Sequence, residues 1–381
     1  MPTPEAADSS RVLVSRIGDD IRRSKGWISF AHFMDRALYA PGLGYYSGGA
    51  HKLGAAGDFV TAPELGPIFA QTLAAQVAEI CALSDPHIIE VGAGSGRLAA
   101  DLLRELAARQ ALPESYRILE VSGELRARQQ AALREVAGQL PTRINWLDRF
   151  PEHFSGVVLA NEVLDAMPVH LVVWQDDDIL ERGVGLADGQ FVWQDRPASG
   201  RLRERAQTIA AECSPPPGYL GEIALLSDDW LYEWGQRLTR GALLLLDYGF
   251  PRHEYYHAQR SAGTLMCHYR HRAHGDPFYL PGLQDITAHV DFTAIAEAAC
   301  AAGFELLGYT TQAGFLLACG LLEILARTPA EDAPRYLPLA NAAQKLISPA
   351  EMGELFKVMA LGKGIGHALL GFQRGERSHT L

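Results

Sequence analysis

The sequence has no apolar run long enough to cross a bilayer; Leu243 to Leu246 is short and stops at Asp247. The first twenty residues carry Glu5, Asp8, Asp19 and Asp20 and no apolar stretch, so neither a secretory signal nor an acid-poor transit peptide is expected. Cysteine is sparse: Cys81, Cys213, Cys267, Cys300 and Cys319 lie far apart with no C-x-x-C pair. That excludes a dithiol motif and fits reduced thiols in the cytoplasm. Basic residues are outnumbered 34 to 45, and the net charge of −11 argues against nucleic acid as a partner. Internal repeats and low-complexity tracts are missing too. No feature separates monomer from dimer.

What is present is a sizeable apolar fraction, 48% of 381 residues, arranged periodically. Val12, Leu13, Ile17 and Ile21 form one helical stripe; Phe30, Phe33, Met34, Ala37 and Leu38 form a second, ended by Pro41-Gly42-Leu43-Gly44. Residues 42–66 read as a long loop with aromatic content, a pattern that suggests function. Phe69, Leu73, Val77 and Ile80 mark a further helix. Short apolar strands then alternate with helices: 88–91, 116–121, 143–147, 157–160 and 242–246. This alternation predicts an α/β fold with a parallel sheet covered on both faces. Residues 170–226 read as a β-rich insertion and 250–292 as loop. Ser348-Pro349-Ala350-Glu351 matches a capping box and predicts a helix through Met352, Leu355, Phe356 and Met359. The last ten residues read as frayed.

The first strand runs into Glu90-Val91-Gly92-Ala93-Gly94-Ser95-Gly96, followed by the helical stripe Leu98, Leu102, Leu103 and Leu106. Strand, glycine turn and helix is where an open α/β sheet binds a nucleotide-like ligand. A dinucleotide fingerprint would place its third glycine at position 97, where Arg97 stands, which weighs against a NAD-dependent oxidoreductase. The G-x-G-x-G spacing resembles instead the first motif of class I S-adenosylmethionine (SAM) methyltransferases. Ligands of such sheets lie outside the carboxyl ends of the strands, and those ends are polar here. Glu120, followed by Ser122, is placed to accept ribose hydroxyls, and Asp148 to accept an adenine amino group. Asn161-Glu162-Val163-Leu164-Asp165 ends the fourth strand and Asp247 the fifth. His268, His271 and His274 recur every three residues, but no carboxylate or cysteine pattern completes a metal site, and none is expected.

Four blocks together resemble the MidA-like SAM-dependent methyltransferases: Gly57 to Glu64 (GDFVTAPE), Glu90 to Gly96, Ala160 to Pro168 (ANEVLDAMP), and Asp247-Tyr248-Gly249. Val163 stands where the family more often has an aromatic and Met167 where it has leucine. The mitochondrial member is an arginine methyltransferase acting in assembly of NADH:ubiquinone oxidoreductase. The resemblance implies a Rossmann-like seven-stranded class I core, SAM as cofactor and an arginine-bearing protein as substrate. It implies helices and a cofactor-covering loop over 1–66, the core with its two insertions over 67–330, and a C-terminal helical segment over 331–381. On this reading Gly92, Gly94, Gly96, Glu90, Glu120, Ser122, Asp148, Asn161, Phe59 and Thr61 hold the cofactor. Glu162 and Asp165, then Glu64 and Asp247, orient the acceptor. A small-molecule methyltransferase and a non-catalytic SAM-binding assembly factor are the alternatives.

Overall fold

Seven strands build the central sheet of the computed structural model, which describes residues 2–48 and 61–381. In chain order they are β1 (His87–Val91), β2 (Ser115–Leu119), β3 (Arg143–Leu147), β4 (Phe154–Asn161), β5 (Leu238–Phe250), β6 (Glu305–Thr311) and β7 (Phe356–Lys363). In space they run β3-β2-β1-β4-β5-β7-β6. The first five in this row are parallel, and β7 is antiparallel to both neighbours. A short strand, Val290–Asp291, adds to the end of β5. This is the class I methyltransferase order. Along β5, Leu244 and Leu246 enter the core on one face, and Leu243 and Leu245 the core on the other. Each buried leucine stabilises the fold by about 1.5–3 kcal/mol.

Register sets the site. Val91 pairs with Leu119 and Ala160, Leu119 with Leu147, and Ala160 with Leu245. The parallel pairing therefore ends level across all five strands, and β5 alone runs on to Phe250. The chain leaves β1 toward β2 and β3, then returns to β4 on the other side. The gap so formed is the topological switch point, where ligands of such sheets bind.

Helices α1 (Pro4–Arg23) and α2 (Phe30–Tyr39) follow the two N-terminal stripes. Helices α3 (Ile68–Leu83), α4 (Arg97–Ala108) and α5 (Gly123–Gln139) cover the sheet. The insertion at 170–226 forms strands His170–Trp174, Ile179–Ala187, Gln190–Pro197 and Tyr219–Ile223, joined by Trp27–Ser29 from between α1 and α2. The segment 250–292, read as loop, contains a three-stranded sheet of Met266–Tyr269, Arg272–His274 and Asp285–Thr287.

The C-terminal expectation is corrected. The helix predicted from Ser348 does not form; Ser348 O accepts from Gly353 N in a turn, and Phe356–Lys363 is β7. Phe356 to Gly362 are buried without a break, because β7 is covered on both faces. Such a strand shows no alternation, and its apolar residues also fit helical spacing. Residues 331–381 thus supply a strand to the core sheet besides the helix Ala333–Ile347. The final residues are tied down rather than frayed: Arg377 N donates to Tyr309 O at 2.7 Å, and Phe372 is buried.

Candidate active site

A cavity of about 500 Å³ opens at the switch point. Its donor side starts at the glycine loop. Gly94 lines the cavity with φ +52°, a left-handed conformation costly for any side chain. Gly96 plays a different part. It caps α4 at φ +82°, and a Cβ there would meet Gln129 Cα at 3.0 Å, so it serves close packing and stands outside the cavity wall. Glu120 projects just past β2. One of its carboxylate oxygens accepts from Ser122 N at 2.8 Å, and the other from Gln129 Nε2 at 2.9 Å. The same Gln129 nitrogen reaches Gly94 O at 3.1 Å, and Trp146 Nε1 donates to Gln129 Oε1 at 2.9 Å. Gln129 therefore locks the loop after β1 to the acid after β2. Sequence reasoning missed it, although a polar residue on the inward face of α5 was a usable signal.

Glu90 accepts from Tyr116 Oη at 2.6 Å, and burial pushes its carboxyl up to about 7. Thr61 lines the cavity, and Glu64 accepts from Ser95 Oγ at 2.5 Å with Arg97 at 3.8 Å. Glu64 thus lies against the glycine loop, on the donor side. Phe59 falls outside the described residues. Asp148 has an 83% exposed side chain, is paired with Arg126 at 2.5 Å, and stands outside the cavity wall. Leu119, Val121 and Phe150 give that end of the cavity an apolar lining. A left-handed glycine that lets a ligand approach the backbone, a buried acid fixed in orientation and an apolar slot together fit the nucleoside and methionine parts of SAM.

The other side of the cavity is built around a strained turn. Glu162 follows β4 with φ +52°, unusual for a residue with a side chain and costing about 1–3 kcal/mol. Asp247, the residue of β5 just past its pairing with β4, offsets that cost. One of its oxygens accepts from the backbone N–H groups of Val163 (3.2 Å), Leu164 (2.9 Å) and Asp165 (3.3 Å), and the other from Tyr248 N at 2.9 Å. Asp247 stands outside the cavity wall and shapes the turn that presents Glu162 and Asp165. We expect Asp247→Asn to lower stability by about 3 kcal/mol, read as a fall in the urea midpoint at constant m-value.

Glu162 and Asp165 line the cavity floor. Asn161 Nδ2 donates to Glu162 Oε1 at 3.1 Å, and Tyr248 Oη donates to Asp165 Oδ2 at 2.5 Å. Among the described residues, Asp165 Oδ1 is buried without a hydrogen-bond partner. Desolvation, reinforced by Asp165, pushes Glu162 up to about 8, and desolvation pushes Asp165 up to about 6. Among the described residues no cation pairs with either. Two segments outside the methyltransferase core close this end: Tyr39 to Ser47 after α2, and the sheet carrying His268, Asp285 and Thr287. Sequence reasoning missed Asp285, Tyr46 and Tyr248. Tyr248 lay within a recognised block and Tyr46 within the aromatic loop read as functional, but nothing local singled out Asp285. Of the residues expected from the sequence, Gly92, Gly94, Glu90, Glu120, Ser122, Asn161, Thr61, Glu64, Glu162 and Asp165 meet in this one cavity.

Residues 68–310 match the family described as "Putative S-adenosyl-L-methionine-dependent methyltransferase". The chain is 30% identical to the mouse protein arginine methyltransferase NDUFAF7, mitochondrial, over 89% of this chain and 82% of that protein. It is 29% identical to the Drosophila melanogaster homologue over 95% and 88%. A crystal structure of a Burkholderia thailandensis protein bound to S-adenosyl-homocysteine superimposes with a TM-score of 0.96, at 53% identity over 100% of this chain and 99% of that one. The level strand pairing, the glycine loop and these matches agree: the chain belongs to the MidA-like family of SAM-dependent methyltransferases.

Proposed function

We propose that this methyltransferase acts on arginine side chains of a protein, in the cytoplasm. The observation that carries the acceptor is the pair Glu162 and Asp165, desolvated side by side with no cation among the described residues. Like charges buried together are costly until a cation joins them. A guanidinium is that cation, and its planar donors match carboxylates bidentately. The names of the mouse and fly relatives support the same reading. Five free cysteines support a reducing compartment. Among the described residues no helix is long and apolar enough to cross a membrane.

SAM, when bound, supplies an electrophilic methyl group on a sulfonium. The glycine loop and Glu120 hold that donor in place; Glu162 and Asp165 do the rest. They accept N–H bonds from the guanidinium and keep its positive charge on the nitrogens that do not react. A Glu162 oxygen takes the proton that the reacting nitrogen gives up. Both carboxylates must be ionised to receive the cation. Their raised pKa values then predict that kcat/KM for the acceptor rises from below pH 6 to about pH 8. A flat profile over that range contradicts the assignment. The direct test is incubation with methyl-labelled SAM and cell lysate: a labelled protein band is expected. Label only in the small-molecule fraction, or SAM binding without transfer, overturns the reading.

A further inference from the structure

Asp285 belongs to neither the methyltransferase core nor the strand-end acids, yet it lines the same cavity as Glu162 and Asp165. It lies on the strand Asp285–Thr287, paired in register with His268, which also lines the cavity. Its carboxylate is held from two sides. Oδ1 accepts from Ile286 N at 3.0 Å, and Tyr46 Oη donates to Oδ1 at 2.9 Å and Oδ2 at 3.1 Å. The group is 9% exposed. Tyr46 is held in turn: its ring stacks on Tyr39 at 5.5 Å and meets Tyr45 edge-on at 5.1 Å. Tyr39 Oη donates to Ala166 O at 2.9 Å, next to Asp165. Burial first, and Asp285 and Asp165 after it, raise the Tyr39 and Tyr46 phenols, and Asp285 adds to the raising of Glu162 by burial and Asp165. Asp165, supplied by the core, and Asp285, supplied by the insertion, thus line one cavity and are linked through Tyr39 and Tyr46.

A lysine ammonium is compact and meets one or two carboxylates at a point; a guanidinium is a flat fork with donors on three edges. Carboxylates from separate segments of one cavity, beside flat rings, suit the second shape. We propose that Asp285, positioned by Tyr46, is the specificity-determining carboxylate of the acceptor site, taking the guanidinium edge that Glu162 and Asp165 leave and selecting a planar cation over an ammonium. This rests on the arginine reading above. It assigns acceptor choice to the insertion and the N-terminal segment, with the donor left to the core.

The test uses the full chain with labelled SAM and the protein acceptor labelled by wild type. Asp285→Asn is expected to raise KM for that acceptor by about 10–100-fold, the loss of a charge-assisted hydrogen bond, with SAM affinity unchanged. Tyr46→Phe keeps the ring and is expected to raise KM by about threefold to tenfold. It decides the matter should Asp285→Asn fail to fold. Methylguanidinium is expected to inhibit wild type more strongly than methylammonium, and Asp285→Asn to lose that preference. An unchanged KM in a folded Asp285→Asn variant, or a preserved preference, overturns the proposal while label on arginine leaves the arginine reading standing. Label on another residue type in the wild-type reaction overturns both.

Discussion

Glu162→Gln is expected to lower methyl transfer by about 10²–10⁴-fold while leaving SAM affinity within about twofold. The amide keeps the side chain's size but neither accepts the guanidinium's charge nor takes its proton. The donor site is untouched, because Glu120 and the glycine loop are fixed by Ser122 and Gln129, not by Glu162. The same variant should gain stability at alkaline pH. Glu162 is raised in the folded protein to about 8 from an ordinary value of 4.5. Its contribution to stability is full below about pH 4.5 and is lost as pH rises through 8. Glutamine does not ionise, so that loss disappears. Melting at pH 9 should show the variant about 2 °C or more above wild type, with the gap closing near pH 5. A site that costs stability and is required for turnover is the signature of function. Equal melting temperatures at both pH values, or near-normal turnover, would remove Glu162 from the mechanism.

Gly94→Val should abolish SAM binding in the working range, weakening it by about 10²-fold or more. Two effects combine. Gly94 has φ +52°, where a β-branched residue is strained by about 1–2 kcal/mol. It also lines the cavity, where added side-chain volume competes with the donor. Calorimetric titration with SAM reads this directly, and the fold is checked by far-ultraviolet circular dichroism. Gly96→Val separates the roles. It should chiefly destabilise α4 against α5, since Gly96 packs on Gln129 rather than lining the cavity. Unaltered SAM affinity in Gly94→Val would mean the loop holds something else.

These contrasts show what local sequence carries. Glu90 to Gly96 is strand, turn and helix within a few residues, so its geometry is dictated nearby and was readable. Glu120 was readable for the same reason, coming off the strand next door. The direction a strand-end acid faces was not. Asp247 follows an apolar run just as Glu120 does, yet its oxygens are taken by four backbone N–H groups. Asp148 is likewise taken by Arg126 on α5. Which partner wins depends on tertiary packing. The pairing of Tyr46 with Asp285 spans 239 positions and joins the N-terminal segment to an insertion, so no spacing rule reaches it. The strand Phe356–Lys363 was hidden for another reason: burial on both faces erases the alternation that marks a strand.

The central claim is that this acidic cavity delivers a methyl group to a guanidinium. The most direct measurement is amino-acid analysis of protein labelled by this chain from methyl-labelled SAM in cell lysate. The account predicts that the label elutes as methylated arginine, and that Glu162→Gln yields none. Label recovered as methyl-lysine, as a carboxyl methyl ester or in no amino acid at all would contradict it.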